Sequence, residues 1–266
     1  MAGSLRGSLL QTKTVECQKM KKIVYISALT MLFLTGCQKD RQQLLDKIAQ
    51  LEKRIEILEK KIVAQAPPRR PEVKEQTAAY DIPVGKSYVY GDPKAPVTVS
   101  VFSDYQCPFC SQAHEDLVEG IIADKDLKGK VKVVFKHFPL PFHQMARPAS
   151  KAALAAGEQG GDCFWALTKK LYGGQKALSE ENFKKWAEET VCKKNDGSTG
   201  KLNVAQFWKD YSSKGADYDK MIEADVQIGR TKAEVRGTPS FYVNGWKLAS
   251  RNVDAVKQLI KDKHLL

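Results

Sequence analysis

Residues 96–110 read PVTVSVFSDYQCPFC. The run 97–102 alternates and then becomes continuously apolar, which is strand character. It leads straight into Cys107-Pro108-Phe109-Cys110. Proline suits the first position of a helix, where its missing N–H would have no partner anyway. A strand is therefore expected to end, and a helix to begin, at Cys107. Helical character continues to about residue 125, with Cys110, Ala113, Leu117 and Ile121 on one face. The unpaired N–H groups of the first turn and the positive end of the helix dipole would then face the Cys107 sulfur. They favour thiolate over thiol and should bring its pKa below the free value of about 8.5. Cys110, one turn further on, falls on the apolar face, where an anion is disfavoured.

A C-x-x-C pair alone fits a zinc half-site, a structural staple or a redox centre. Zinc usually takes a second C-x-x-C or a histidine pair. Cys163 and Cys192 stand alone, so no metal is expected. A staple across four residues gains little chain entropy. The redox reading is the one that uses both the helix tip and the buried partner.

Downstream, 131–138 reads as a second strand. Residues 143 to about 234 change character: alanine-rich and Lys/Glu-rich segments recur, with helix-starting signals at Ser179 before EENFKKWAEE and at Asn203 before VAQFWKDY. Strand signals return at 240–243. Asn244-Gly245 makes a hairpin turn, 246–248 pairs back, and a helix over 253–263 closes the domain. Trp165, Trp186 and Trp208 in the helical block are expected in the core. His114 reads as a surface histidine, and Tyr105 and Phe109 as an apolar contact surface flanking the cysteines.

Three places together carry a family likeness: the strand leading into FSDYQCPFC, the helical block, and GTPSFYVNG at 237–245. They resemble the thioredoxin fold with a helical insertion, as in the DsbA-like thiol–disulfide oxidoreductases. The resemblance covers most of residues 80–266, with the insertion at about 143–234. It implies an α/β domain without a cofactor. Cys107 would be the attacking thiolate and Cys110 the resolving thiol. Thr238-Pro239 would form a cis-proline loop opposite the cysteines, exposing the Thr238 backbone to an extended substrate segment as an added strand. The implied partners are unfolded or misbridged proteins and a membrane oxidase or reductase. The intervening Pro-Phe supplies no histidine to the anion, so the strongest oxidising power is not expected.

The N-terminal region reads as a leader. From Met20 the chain runs MKKIVYISALTMLFLTGC: a positive start, an apolar run of about twelve residues, and Leu34-Thr35-Gly36-Cys37. This resembles the lipobox of bacterial lipoproteins, with Cys37 as the lipidated residue, residues 20–36 as signal peptide and 1–19 as an upstream extension. Gln38 in place of aspartate favours the outer membrane over the inner, so a periplasm-facing lipoprotein is expected. Six cysteines are present. Setting aside Cys17 and Cys37 leaves four in an oxidising compartment. Cys163 and Cys192 then form the candidate structural disulfide, closing a loop worth about 3–4 kcal/mol, with two free buried thiols as the alternative.

Residues 41–63 carry a heptad. Ile48, Ile55 and Ile62 take position a, and Leu44, Leu51 and Leu58 position d. A parallel pairing sets Lys47 against Glu52 and Arg54 against Glu59, whereas an antiparallel one opposes like charges. Arg54 to Glu59 also resembles a short parallel-trimer signature. A coiled-coil helix over 37–63 forming a homotrimer, or alternatively a homodimer, is expected, followed by a proline-containing linker at 64–79. The net charge of +12 includes five basic residues and one acid in residues 1–37, leaving +8 spread over Lys/Glu-rich helices. No basic block stands out, so nucleic acid is not an expected partner. The function expected is an exported thiol–disulfide oxidoreductase, isomerase or reductase favoured over oxidase because self-association can shield the sites from a membrane oxidase. The alternative is a non-catalytic, membrane-tethered coiled-coil interaction protein.

Overall fold

The computed structural model describes residues 38–65 and 76–266, which fall in two separate compact units. Cys17, Cys37 and the expected leader lie outside the described residues.

The first unit contributes one helix, α1 (Gln38–Gln65). Four of its heptad residues, Leu44, Leu51, Ile55 and Leu58, are exposed in the single chain. A helix with an apolar seam and no partner derives little stability from propensity alone.

The second unit is built on a five-stranded sheet of order β1-β3-β2-β6-β7. Its centre is β2 (Val97–Ser103), parallel to β3 (Val131–His137) and antiparallel to β6 (Ser240–Val243). Six of the seven β2 residues are buried, as expected of a β-branched strand covered on both faces. A parallel neighbour requires a crossover, and the helix after Cys107 supplies it. That helix runs as α2 (Pro108–Ala113), a π-helical stretch His114–Val118, and α3 (Glu119–Ala123). Cys110, Ala113, Leu117 and Ile121 are all buried.

The helical block follows β3 as α4 (Ala146–Gly157), α5 (Gly161–Gly173), α6 (Glu180–Glu189), α7 (Val204–Ser213) and α8 (Gly215–Thr231). Ser179 and Asn203 cap α6 and α7, accepting hydrogen bonds from the backbone N–H of Asn182 and Gln206. Trp165 is buried, while Trp186 and Trp208 are half-buried at the edge of the core. Between α6 and α7 lies a short hairpin absent from the sequence reading, β4 (Val191–Lys193) with β5 (Thr199–Lys201). A disulfide joins Cys163 on α5 to Cys192 on β4.

The hairpin of β6 with β7 (Trp246–Lys247) turns at Asn244-Gly245, both at positive φ. Asn244 Oδ1 accepts from Thr98 N at 2.7 Å, and Gly245 O accepts from Tyr80 N at 3.0 Å. α9 (Val253–Asp262) then packs on the sheet. Of the residues expected as a linker, 64–79, those at 66–75 lie outside the described residues. Ala64 and Gln65 belong to α1, and Gln76 is already bonded to Gly245 O and Lys247 N. A further edge strand, β1 (Val89–Tyr90), pairs antiparallel with β3.

Candidate active site

Cys107 is the N-cap of α2, in extended conformation, with Pro108 at the first helical position. Its carbonyl accepts from Cys110 N at 2.9 Å and Ser111 N at 3.3 Å. The loop before it is held by Asp104, a buried carboxylate. Asp104 Oδ1 accepts from Gln106 N at 2.7 Å, and Oδ2 accepts from Leu140 N at 2.7 Å and meets His143 Nδ1 at 2.8 Å. Gln175, beyond α5, reaches across to donate to the carbonyls of Tyr105 at 2.7 Å and Cys107 at 2.9 Å. The insertion thus holds the backbone that carries Cys107.

Thr238-Pro239 is a cis peptide, and it lies against the cysteines: the Cys107 thiol donates to the Thr238 carbonyl at 3.4 Å. Both Cys107 and Cys110 are free and buried. The Cys107 thiol is lowered from an ordinary 9.0 to about 6. The largest cause is the hydrogen bond from the Cys110 thiol; burial opposes it; the Thr238 side chain and the backbone N–H groups of Cys110 and Phe109 add to it. The helix-tip N–H groups expected from the sequence do contribute, but they rank behind the neighbouring thiol and Thr238. The Thr238 hydroxyl is buried and makes no other hydrogen bond among the described residues, so it is available to the anion. Cys110 moves the other way, well above an ordinary thiol, through burial first and then its donation to Cys107. The two sulfurs thus have opposed acidities, the property that an attacking and a resolving thiol would need.

Two flanking residues depart from expectation. Tyr105 is fully buried rather than part of a contact surface; its hydroxyl meets Thr168 Oγ1 at 2.8 Å and its ring stacks on Phe135. His114 is only 6% exposed rather than on the surface, because it shares the inward helix face with Cys110. Phe109 does face outward, 61% exposed, with the Arg251 guanidinium 5.9 Å from its ring centre. Phe142, 72% exposed on the loop that Asp104 anchors, was not singled out by the sequence. Ser103, Asp104, Tyr172 and Gln175 were also missed: no local motif marks them, and only the fold brings them to the cysteines. Among the described residues no three His, Cys, Asp or Glu side chains converge as metal ligands.

The chain matches the family model described as Thioredoxin over residues 84–262. It is 33% identical over 180 residues to a probable disulfide bond formation protein D of Bacillus cereus, covering 66% of this chain and 77% of that one. Among solved structures, oxidised BdbD from Bacillus subtilis superposes with a TM-score of 0.58 at 25% identity, covering 71% of this chain and 97% of that one. A thioredoxin-like oxidoreductase from Silicibacter pomeroyi gives 0.51 at 27%, covering 66% and 92%.

Proposed function

The chain belongs to the DsbA-like thiol–disulfide oxidoreductases of the thioredoxin fold, and on that premise we propose that it exchanges disulfides of exported proteins through Cys107 and Cys110. The observation that carries this reading is the Cys107 sulfur at a helix N-terminus, 3.4 Å from the Thr238 carbonyl of the cis-proline loop, where its pKa is lowered to about 6. A client segment lying along Thr238 presents its disulfide to Cys107, which attacks and forms a mixed disulfide. Cys110 then attacks Cys107 and releases the client. The exposed rings of Phe109 and Phe142 give an apolar rim suited to unfolded chains.

The direction of exchange is that of an isomerase or reductase, working from the dithiol form. The exposed heptad seam of α1 supports this: a parallel homotrimer, with a homodimer as the alternative, would screen the sites from a membrane oxidase and leave a membrane reductase as partner. Lipidation at Cys37 would hold the assembly on the periplasmic face of a membrane, the outer one favoured, and raise the effective concentration of the helices. Among the described residues no helix is long and apolar enough to cross a membrane. The name of the Bacillus cereus relative, a disulfide bond formation protein, favours a second reading as an oxidase.

Refolding of a disulfide-scrambled client separates catalysis from tethering. The intact protein accelerates it and Cys107→Ala does not; equal rates would return the chain to the non-catalytic reading. Trapping the thiols in cells by acid quench then sets the direction. A dithiol population supports the isomerase or reductase, and a disulfide population the oxidase.

A further inference from the structure

Resolution of the mixed disulfide requires Cys110 to lose a proton in a place without solvent. Cys110 borders a void too small for a water molecule, lined also by Val101, Ser103, His114, Phe135 and Tyr172. A buried water is therefore no acceptor here. Three of these side chains are polar. Ser103 Oγ and the Tyr172 hydroxyl lie 2.6 Å apart, both buried. His114 follows Cys110 by four residues, at the start of the π-helical stretch. Its Nε2 is buried without a formed hydrogen bond, although Glu119 Oε1 lies 3.5 Å away. A polar group in a dry core costs stability unless it is hydrogen-bonded, and of these three His114 Nε2 is the one without a hydrogen-bond partner. The Ser103 hydroxyl interacts with the Cys110 sulfur and lowers its pKa against the effect of burial. Burial and the nearby Cys110 charge push the Tyr172 phenol well above its usual 10.0, so it stays a donor.

We propose that Ser103, Tyr172 and His114 are the acid–base floor of the resolving step: His114 accepts the Cys110 proton, and Ser103, fixed by Tyr172, hydrogen-bonds the thiolate that forms. The inference rests on the assignment of Cys110 as resolving thiol. In the mixed disulfide the Cys107 sulfur is bonded to a client sulfur. The Cys110 proton passes to the imidazole, and the freed electron pair forms the Cys110–Cys107 bond. The Cys107–client bond breaks, and its pair leaves on the client sulfur as thiolate. The enzyme is oxidised and the client sulfur reduced. Glu119, 28% exposed and with its carboxyl held below the ordinary range chiefly by His114 beside it, hands the proton from His114 to solvent.

The full reduced chain is mixed with a diaryl disulfide that releases a coloured thiolate, and single turnovers are followed by stopped flow. Attack by Cys107 releases one equivalent and resolution by Cys110 a second. In Ser103→Ala the first phase stays at the wild-type rate while the second slows about tenfold, as expected for one lost hydrogen bond to a charged group. In His114→Gln the second slows about a hundredfold, the lower range for a positioned acid–base group. Tyr172→Phe keeps the ring and shows a smaller slowing of the same phase. A second phase unchanged in both Ser103→Ala and His114→Gln overturns the proposal, as does equal slowing of both phases, which marks a packing role. Cys110→Ala tests the underlying assignment separately: it stops after one equivalent, and release of both would remove Cys110 as resolving thiol whatever the other variants do.

Discussion

The Cys107 pKa is lowered to about 6 because three kinds of donor converge on the sulfur: a thiol, a hydroxyl and the N–H groups of a helix tip. Removing one should move it part of the way back. Thr238→Val deletes the hydroxyl and keeps the carbonyl; the Cys107 pKa should rise by about one unit, the equivalent of one hydrogen bond to a charged group, read from thiolate absorbance against pH. The same depressed acidity predicts how stability follows pH in the reduced protein. Folding lowers this thiol from 9.0 to about 6, so its contribution is fully present above 9.0 and is lost as pH falls through about 6. The reduced protein should therefore gain stability over Cys107→Ser as pH rises from 6 to 9, measured by urea unfolding; a flat difference would contradict the shift. Above that range the raised Cys110 thiol works in the opposite direction. Cys107, Cys110 and Thr238 were legible in the sequence because each sits in a local motif with its own punctuation. Ser103 and Tyr172 were not, being 69 residues apart and joined only by the fold. His114 was misread by residue type: its spacing from Cys110 already placed it on the inward face.

At the level of elements, the regular pieces with a clear period were legible and the short ones were not. β2, the helix after Cys107, the capped helices α6 and α7, and the Asn244-Gly245 hairpin all follow from periodicity or turn chemistry. β1 has two residues and β4 and β5 three each, too few for an alternation to register. Their positions come from partners distant in sequence. The hairpin is a demanding spot: Gly245 has φ +82, and a Cβ there would sit 2.1 Å from Tyr80 O. Gly245→Ala should destabilise the domain by more than about 1 kcal/mol in urea unfolding, since both the backbone and the space disfavour it. The Cys163–Cys192 link closes 29 residues between α5 and β4. Cys192→Ala should cost about 3–4 kcal/mol while leaving exchange at Cys107 intact in the folded protein. A loss of exchange with unchanged stability would assign that disulfide a redox role instead.

The molecule as a whole carries a thiol–disulfide oxidoreductase domain and a helix on whose heptad seam Leu44, Leu51, Ile55 and Leu58 are exposed in the single chain. If that seam assembles the protein, Leu51→Lys with Ile55→Lys in the full chain should convert a trimer to a monomer by sedimentation, with the rate of Cys107 alkylation unchanged. An oligomer that survives both changes would place the assembly surface elsewhere. The exchange proposed at Cys107 depends on one charge, and its most direct test is the alkylation rate of Cys107 in the reduced full chain against pH, with the modified site identified by mass spectrometry. The account predicts a midpoint near 6. A midpoint near the ordinary 9.0 would contradict it.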